Sequence, residues 1–383
     1  MKVGDHVEVD IVDIAHGGHC VARHDGQVIF VRHAIPGERV KVEITDLSAK
    51  FARGDAIAII TPSADRVNAP CSYARPRGCG GCDFQHISLI RQRSLKGEII
   101  RDQFARIGKM EINVEVEEVK PTEHWRTRMD FTVSPNRRLT LFGARSHELI
   151  EIEKCLIADE RINIAEINKT KLPMGGKVHV AAGNHGDVAV EIEGRASHAL
   201  VEQQVHDHRY SITPTSFWQS HRKAAETLAD VVRAFAQAKS GDHIFDLYGG
   251  VGLFAGELVA DVGVAGRITL IESGTDAITD ARRNFATVES IEIVEGKVEK
   301  VLDSYVRADV VVVDPPRAGL GAQVSKLMTD LGPRTIVYVS CDPASLARDS
   351  RILVDSGYRL DQIRAFDLFP MTQHIECVAR FIK

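Results

Sequence analysis

The sequence predicts an α/β plus β protein: a small OB-like barrel, a central α+β segment built around clustered cysteines, and a C-terminal Rossmann-like unit with a mostly parallel sheet. Three observations lead there. Short strand-forming runs separated by glycine turns fill residues 1–61. Three cysteines crowd into the short stretch from Cys71 to Cys82. From residue 211 onward, apolar strand runs alternate with helical patterns, as βαβ units require.

In the first segment, "HVEVDIVDI" alternates Val7, Val9 and Ile11 on one face. The turn signals "HGGH", "HDGQ" and "IPGE" set it apart from "QVIFVRHA", "RVKVEIT" and "DAIAII". About five such strands suit a small closed barrel of the OB type, a pattern that other small β-domains share. "TPSADRVNAP" is a polar, proline-containing linker. Residues 87–108 read as one helix with Gly108 near its C-terminus. Residues 111–210 are mostly strand and turn, as in "VEVEEV", "RMDFTVS" and "DVAVEIEG". "HRKAAETLADVVRAFAQA" opens the last segment as an amphipathic helix. The runs "DHIFDLYGG", "RITLIES", "IEIVEG", "ADVVVVDPP", "RTIVYVSCD" and "CVARFI" are its strands. The domains expected are therefore 1–61, 62–210 and 211–383.

Composition excludes several classes. The chain has 383 residues, 44% hydrophobic and 26% charged, ordinary for a globular protein. There is no run of about 18 apolar residues and no apolar core at the N-terminus, so a cytoplasmic, non-membrane protein is expected, read as a monomer. A net charge of −5 argues against an indiscriminate nucleic-acid binder but leaves room for a local basic surface. Seven cysteines are unevenly spaced: Cys71, Cys79 and Cys82 cluster, Cys155 lies far downstream, and Cys20, Cys341 and Cys377 stand apart. In a cytosolic chain such a cluster points to metal more than to disulfides.

The run "DLYGGVGLFAG" carries the nucleotide-binding signal. Asp246 ends a strand, Gly249, Gly250 and Gly252 form the turn, and a helix follows. Such a turn lets backbone approach a ligand closely. Glu272 closes the next strand, where an acid bonds ribose hydroxyls. A nicotinamide dinucleotide and S-adenosylmethionine both fit these two features. In "VVVVDPPRAGL", Asp314 is held by two prolines at the carboxyl end of a strand, where open α/β sheets bind ligands, and it can accept from an N–H of a planar base. Cys341, in "VYVSCDP", ends the following strand and precedes a helix. That position points a thiol at the same crevice, and a helix N-terminus favours thiolate. Glu376, just before the last strand, is a carboxylate placed to serve as general base, while Cys377 beside it reads as core.

Taken together, "DLYGGVGLFA", "DPPRAGL", "YVSCDPASLARD" and "FPMTQHIE" resemble the motifs of the uridine-5 RNA methyltransferases, the 5-methyluridine enzymes of 23S rRNA and tRNA, in that family's order. "SFWQSH" is similar to the family's Phe-x-Gln-x-Asn motif, with His221 in place of Asn, and Leu253 stands where many members carry Asn. Residues 1–61 resemble the TRAM domain, an OB-like RNA-binding module. "APCSYARPRGCGGCDFQHIS" is similar to the cluster-binding segment of members that carry an iron–sulfur centre.

The resemblance implies S-adenosylmethionine as cofactor and uridine in structured RNA, rRNA or tRNA, as substrate. It assigns Cys341 as the nucleophile that adds to carbon 6 of uracil and Glu376 as the base that removes the carbon 5 proton. Asp314 orients the uracil and borders the cofactor. Gln219, Tyr248, Gly250, Gly252 and Glu272 hold the cofactor, and Phe217 offers a stacking face to the substrate. A target inside a fold cannot reach a buried thiolate, so the uridine is flipped out. The spacing Cys71-x7-Cys79-x2-Cys82, with Cys155 after 72 residues, suits either structural zinc or an iron–sulfur cluster. The resemblance favours 4Fe-4S, with Cys155 as the distant fourth ligand.

RNA contact is expected near the cysteines, where "YARPRG", "RQRSLK" and "HWRTRMD" concentrate Arg and Lys and interleave Tyr73 and Trp125. Two other readings compete. One is an RNA-binding or chaperone protein with a silent methyltransferase fold, which intact Cys341 and Glu376 disfavour. The other is a nicotinamide oxidoreductase with a reactive cysteine, which "DPPRAGL" does not suit.

Overall fold

The computed structural model describes residues 1–195 and 199–383. At the N-terminus, six strands form one sheet: His6–Asp10, Asp13–Ile14, Cys20–His24, Gln27–Arg32, Arg39–Leu47 and Phe51–Thr61. The extra strand over the expected five is the two-residue Asp13–Ile14, too short to carry a sequence signal. Alternate residues close the barrel core, among them Val9, Ile29, Val31, Val40, Val42 and Ala52. Repeated register shifts bend the long Arg39–Leu47 and Phe51–Thr61 pair.

The predicted helix 87–108 is two pieces. An α-helix, Leu89–Gln103, starts at Ser88, whose hydroxyl accepts from the Arg91 N–H. A π-helical turn, Phe104–Gly108, follows. Gly108 is its last residue, as expected, and Lys109 after it takes the left-handed conformation. Gly108 is small because a Cβ there would lie 3.2 Å from the Ala347 carbonyl. Five central strands then pair in the order Leu149–Glu151, Leu139–Phe142, Arg128–Val133, Lys177–Ala182, Val188–Ile192. A hairpin, Val201–Val205 with His208–Ile212, leads to the last segment.

There, eight strands form the main sheet. Ile291–Glu295, Arg267–Glu272, His243–Leu247, Val310–Val313 and Thr335–Ser340 run parallel. Glu376–Ile382 lies antiparallel between Thr335–Ser340 and Arg359–Asp367, and Val116–Glu118 adds to the far edge. The sheet is covered on both sides, as parallel strands require. Ile244, Val310, Val312, Val337 and Val339 pack with the helices Ala224–Ala236 and Leu253–Val262. Phe245, Val311, Val313, Ile336 and Tyr338 pack with Leu89–Gln103 and Pro343–Asp355. One helix and one strand from the 62–210 segment thus belong to the layers of the C-terminal sheet.

The parallel order brings the ends of three strands together: Leu247 before the glycine turn, Val313 before Asp314, and Ser340 before Cys341. The crevice outside these carboxyl ends is the site that such sheets offer to ligands. Among the described residues, no helix is long and apolar enough to cross a membrane.

Candidate active site and cysteine cavity

The glycine turn is shaped by close contacts. Gly252 has φ of +96°, and a Cβ on it would lie 2.2 Å from the Phe285 ring. Gly250 also has positive φ, but open space stands where its Cβ would be. Tyr248 itself adopts the left-handed conformation. Glu272 holds this turn: Oε2 accepts from the Gly250 N–H at 3.0 Å, and Oε1 accepts from Ser273 and Gly274. Asp246, fully buried, accepts from the Ala255 N–H at the start of the next helix. Burial pushes its carboxyl up to about 7.

A small cavity opens beside the turn, bordered by Tyr248, Gly250, Gln219, Asp314 and Phe217. Phe217 is 65% exposed, a bare aromatic face at the mouth. Gln219 is buried, and its Nε2 lies 3.5 Å from Asp314 Oδ2. All six residues read as cofactor contacts except Gly252 and Glu272 line this cavity. Those two shape the turn from behind.

A second cavity, about 140 Å³, holds Cys341 together with Arg317, His374, Gln373 and, from the barrel, His16 and Gly17. Asp314 lines the first cavity, and both it and Glu376 are near enough to Cys341 to act on its thiol. Glu376 is the first residue of the last strand, not a residue before it, and is 3% exposed. Burial, with Asp314 adding repulsion, raises its carboxyl well above the ordinary range, and burial raises Asp314 to about 7.

The expectation of a helix-activated thiolate fails in this resting state. Burial, with Glu376, Asp314 and Asp342 adding repulsion, pushes the Cys341 thiol up to about 12, and Arg317 opposes them. The helix N-terminus is already used by Asp342, whose side chain caps it by accepting from the Ser345 N–H. Arg317, His374 and His16 were not identified from sequence. Arg317 was in view within "DPPRAGL", but nothing in that motif says that its charge faces Cys341.

His221 is buried and structural. Its Nδ1 accepts from the Lys223 N–H, its Nε2–H donates to the Pro121 carbonyl, each at 3.0 Å, and it stacks on Trp125. Leu253 starts the helix after the glycine turn. The expected RNA-stacking role of Trp125 is wrong, since it is 1% exposed. Two of the basic runs are also largely structural. Lys96 is fully buried and donates to Asp367 and the Phe369 carbonyl, and Arg128 donates to three carbonyls from Thr213 to Ser216.

Cys71, Cys79, Cys82 and Cys155 come together around a cavity of about 240 Å³, although Cys155 is remote in sequence. Burial raises the thiols of Cys79, Cys82 and Cys155, and each of these is raised further by a neighbouring cysteine. The Gly81 N–H points at Cys79 Sγ, 3.4 Å away. Among the described residues, no three His, Cys, Asp or Glu side chains are grouped to grip a metal ion. The four thiols surround the cavity instead, a donor set that fits a thiolate-ligated inorganic group filling it.

Comparison with known proteins gives the family. Residues 1–57 match the TRAM domain model, and residues 271–383 match the model for tRNA (uracil-5-)-methyltransferase. An uncharacterized RNA methyltransferase of Streptomyces coelicolor is 40% identical, over 98% of this chain and 93% of that protein. The chain belongs to the RNA (uracil-5-)-methyltransferase family. A further RNA methyltransferase of that description, from Caldanaerobacter subterraneus, is 30% identical over 99% of this chain and 98% of its own length. The fold is also that of the Pyrococcus abyssi tRNA (uracil-54, C5)-methyltransferase, solved with S-adenosyl-L-homocysteine, at a TM-score of 0.74 and 24% identity, covering 98% of this chain and 99% of that one.

Proposed function

We propose that this enzyme methylates carbon 5 of a uridine in structured RNA, using S-adenosylmethionine and a covalent Cys341–uracil intermediate. The observation that carries the reading is the placement of Cys341 within reach of the charges of Asp314 and Glu376, with Cys341 lining one cavity and Asp314 lining the cavity at the glycine turn.

Carbon 5 of uracil is a weak nucleophile, and thiolate addition at carbon 6 makes it an enolate carbon. Cys341 Sγ forms the bond to carbon 6 after losing its proton. S-adenosylmethionine, when bound, supplies an electrophilic methyl group to carbon 5. Glu376 then takes the carbon 5 proton, the carbon 5–carbon 6 double bond returns, and the bond to Cys341 breaks. A carboxylate with raised proton affinity suits that step. Asp314 orients the uracil ring, Gln219 lines the cavity at the glycine turn beside Asp314, and Phe217 stacks on an extruded base. Tyr248, Gly250, Gly252 and Glu272 form the cofactor side.

Cys71, Cys79, Cys82 and Cys155 would hold a 4Fe-4S cluster, whose contribution is to fix the central segment; methyl transfer needs no redox step. Anaerobically purified protein should be brown, with about four iron atoms per chain. Stoichiometric zinc without iron would reject the cluster.

The substrate class is tested by mass spectrometry of nucleosides from tRNA and rRNA fractions of cells with and without the gene. Loss of 5-methyluridine from one fraction is expected and names the RNA. Unchanged 5-methyluridine in both fractions, with another methylated base lost, would overturn the uridine assignment.

A further inference from the structure

The loop 369–375 leads directly into Glu376, and Gln373, His374 and Ile375 from it line the Cys341 cavity. Its backbone is not one that the chain keeps unaided. Met371 is buried with φ of +69°, the left-handed region that a residue with a Cβ avoids. Such a conformation persists only where the surroundings over-determine it.

Two stretches of chain supply that restraint. Gln92, fully buried in the helix Leu89–Gln103, accepts from the Met371 N–H at 2.8 Å. Lys96, one turn further along the same helix, donates to the Phe369 carbonyl at 3.0 Å. From the other side, the Phe84 N–H donates to the Met371 carbonyl at 3.0 Å. The Gln92 side-chain nitrogen donates back to the carbonyls of Phe84 and Ile87, at 3.0 and 2.9 Å. Both backbone polar groups of Met371 are thus bonded, one to Gln92 and one to Phe84, and Gln92 ties these two restraints together.

Phe84 follows closely on Cys82, with Asp83 between them. The Gln373 backbone N–H faces the Asp83 carboxylate. Side-chain packing repeats the link. Trp125, Ile157 and Met371 form a small core on which Cys82, Cys155 and Phe369 pack. Phe369 meets the Trp125 ring edge-on at 5.8 Å between centroids, and meets the His374 ring in the same manner at 5.8 Å. The loop that leads into the base is therefore bonded to, and packed on, the chain that carries Cys82 and Cys155.

We propose that Gln92 is a positioning residue for methyl transfer: by fixing Met371 against residues 82–84 it couples the cysteine centre to the setting of Glu376. A disturbed cysteine centre, or the loss of Gln92, then leaves RNA affinity in place and delays removal of the carbon 5 proton. The inference rests on the proposed uridine chemistry.

The test is Gln92→Leu in the full-length, anaerobically purified protein. Leucine keeps the size and helix propensity of glutamine but makes neither bond. Hydrogen exchange in peptides covering 369–376 should quicken about tenfold, the worth of one hydrogen bond to local opening. At saturating RNA, kcat should fall on the order of a hundredfold, the effect of a displacement of about 1 Å, with KM for RNA unchanged. A methylated uridine adduct on Cys341 should accumulate with ordinary RNA, because proton removal is the delayed step. Cys155→Ser, at the other end of the coupling, should quicken the same peptides and leave those of the glycine turn, 246–256, unchanged. It decides the matter if Gln92→Leu does not fold. Unchanged exchange at 369–376, or a raised KM with kcat intact, would overturn the coupling. A wild type that leaves uridine in RNA unmethylated would reject the underlying reading instead, while exchange would still report on the coupling.

Discussion

At the scale of single residues, the fold favours the neutral thiol of Cys341, the proposed nucleophile. With its pKa near 12 against about 9 for an ordinary thiol, Cys341 in the free protein holds roughly a thousandfold less thiolate. Because the pKa is raised, thiolate grows tenfold per pH unit throughout the neutral range. Alkylation of Cys341 by iodoacetamide should therefore be slow at pH 7 and rise steadily to pH 9. A rapid, pH-independent rate would show a preformed thiolate. The two carboxyls that suppress ionisation are the groups proposed to handle the uracil. Substrate bonded to Asp314 and a proton on Glu376 would both weaken that suppression, so RNA binding is expected to speed alkylation of any thiol left accessible. The strand-end positions of Cys341, Asp314 and Glu376 singled these residues out in the sequence. The direction of the Cys341 pKa was not legible there, because burial and two facing carboxyls come from strands far apart in sequence.

At the scale of elements, the glycine turn and one buried ion pair set the site's shape. Gly252→Ala combines positive φ with a clash against Phe285, so it should lower stability by at least about 1–3 kcal/mol and abolish cofactor binding. Gly250→Ala meets no atom, so it should cost only about 1 kcal/mol of backbone strain while its methyl intrudes on the cofactor side. Thermal melts and calorimetric titration with S-adenosylmethionine separate the two, and equal effects would contradict this picture. Lys96 ties the helix Leu89–Gln103 to Asp367 at the end of its strand. Lys96→Met should destabilise by about 3–5 kcal/mol by leaving a buried carboxylate unpaired, and adding Asp367→Leu should recover most of it. No recovery in a denaturant melt would mean that packing, not charge, is the role of Lys96. Sequence misread this residue as part of a basic surface because an amphipathic helix shows where its charges lie only once its partner is known. The strand Arg359–Asp367 escaped notice for a related reason. Its run "RLDQIRAFD" is mostly polar, and pairing with Glu376–Ile382 on one side and Val116–Glu118 on the other makes it a strand.

At the scale of the molecule, three parts converge on one crevice. The mostly parallel sheet was readable from apolar runs alternating with helices, and so was the barrel. Two features were not. The run "VEVEEV" read as part of the central segment, yet its Val116–Glu118 extends the main sheet. The docking of the barrel loop His16–His19 against Asp342 and Gln373 depends on surfaces that carry no periodic pattern. That docking makes the N-terminal barrel part of the thiol's cavity. Removing residues 1–61 should therefore reduce methyl transfer on a minimal RNA as well as RNA affinity. If turnover on saturating RNA were unaffected by the truncation, the barrel would be a tether alone.

The central claim is covalent attack by Cys341 on uracil. Its most direct test is to incubate the enzyme with S-adenosylmethionine and RNA in which 5-fluorouridine replaces uridine. Fluorine at carbon 5 cannot leave as a proton, so the last step stalls and the adduct remains. Peptide mass spectrometry should then find a methylated fluorouridine nucleotide on Cys341, and none in Cys341→Ala. An adduct on another residue, or no adduct from an enzyme that methylates ordinary RNA, would contradict the account.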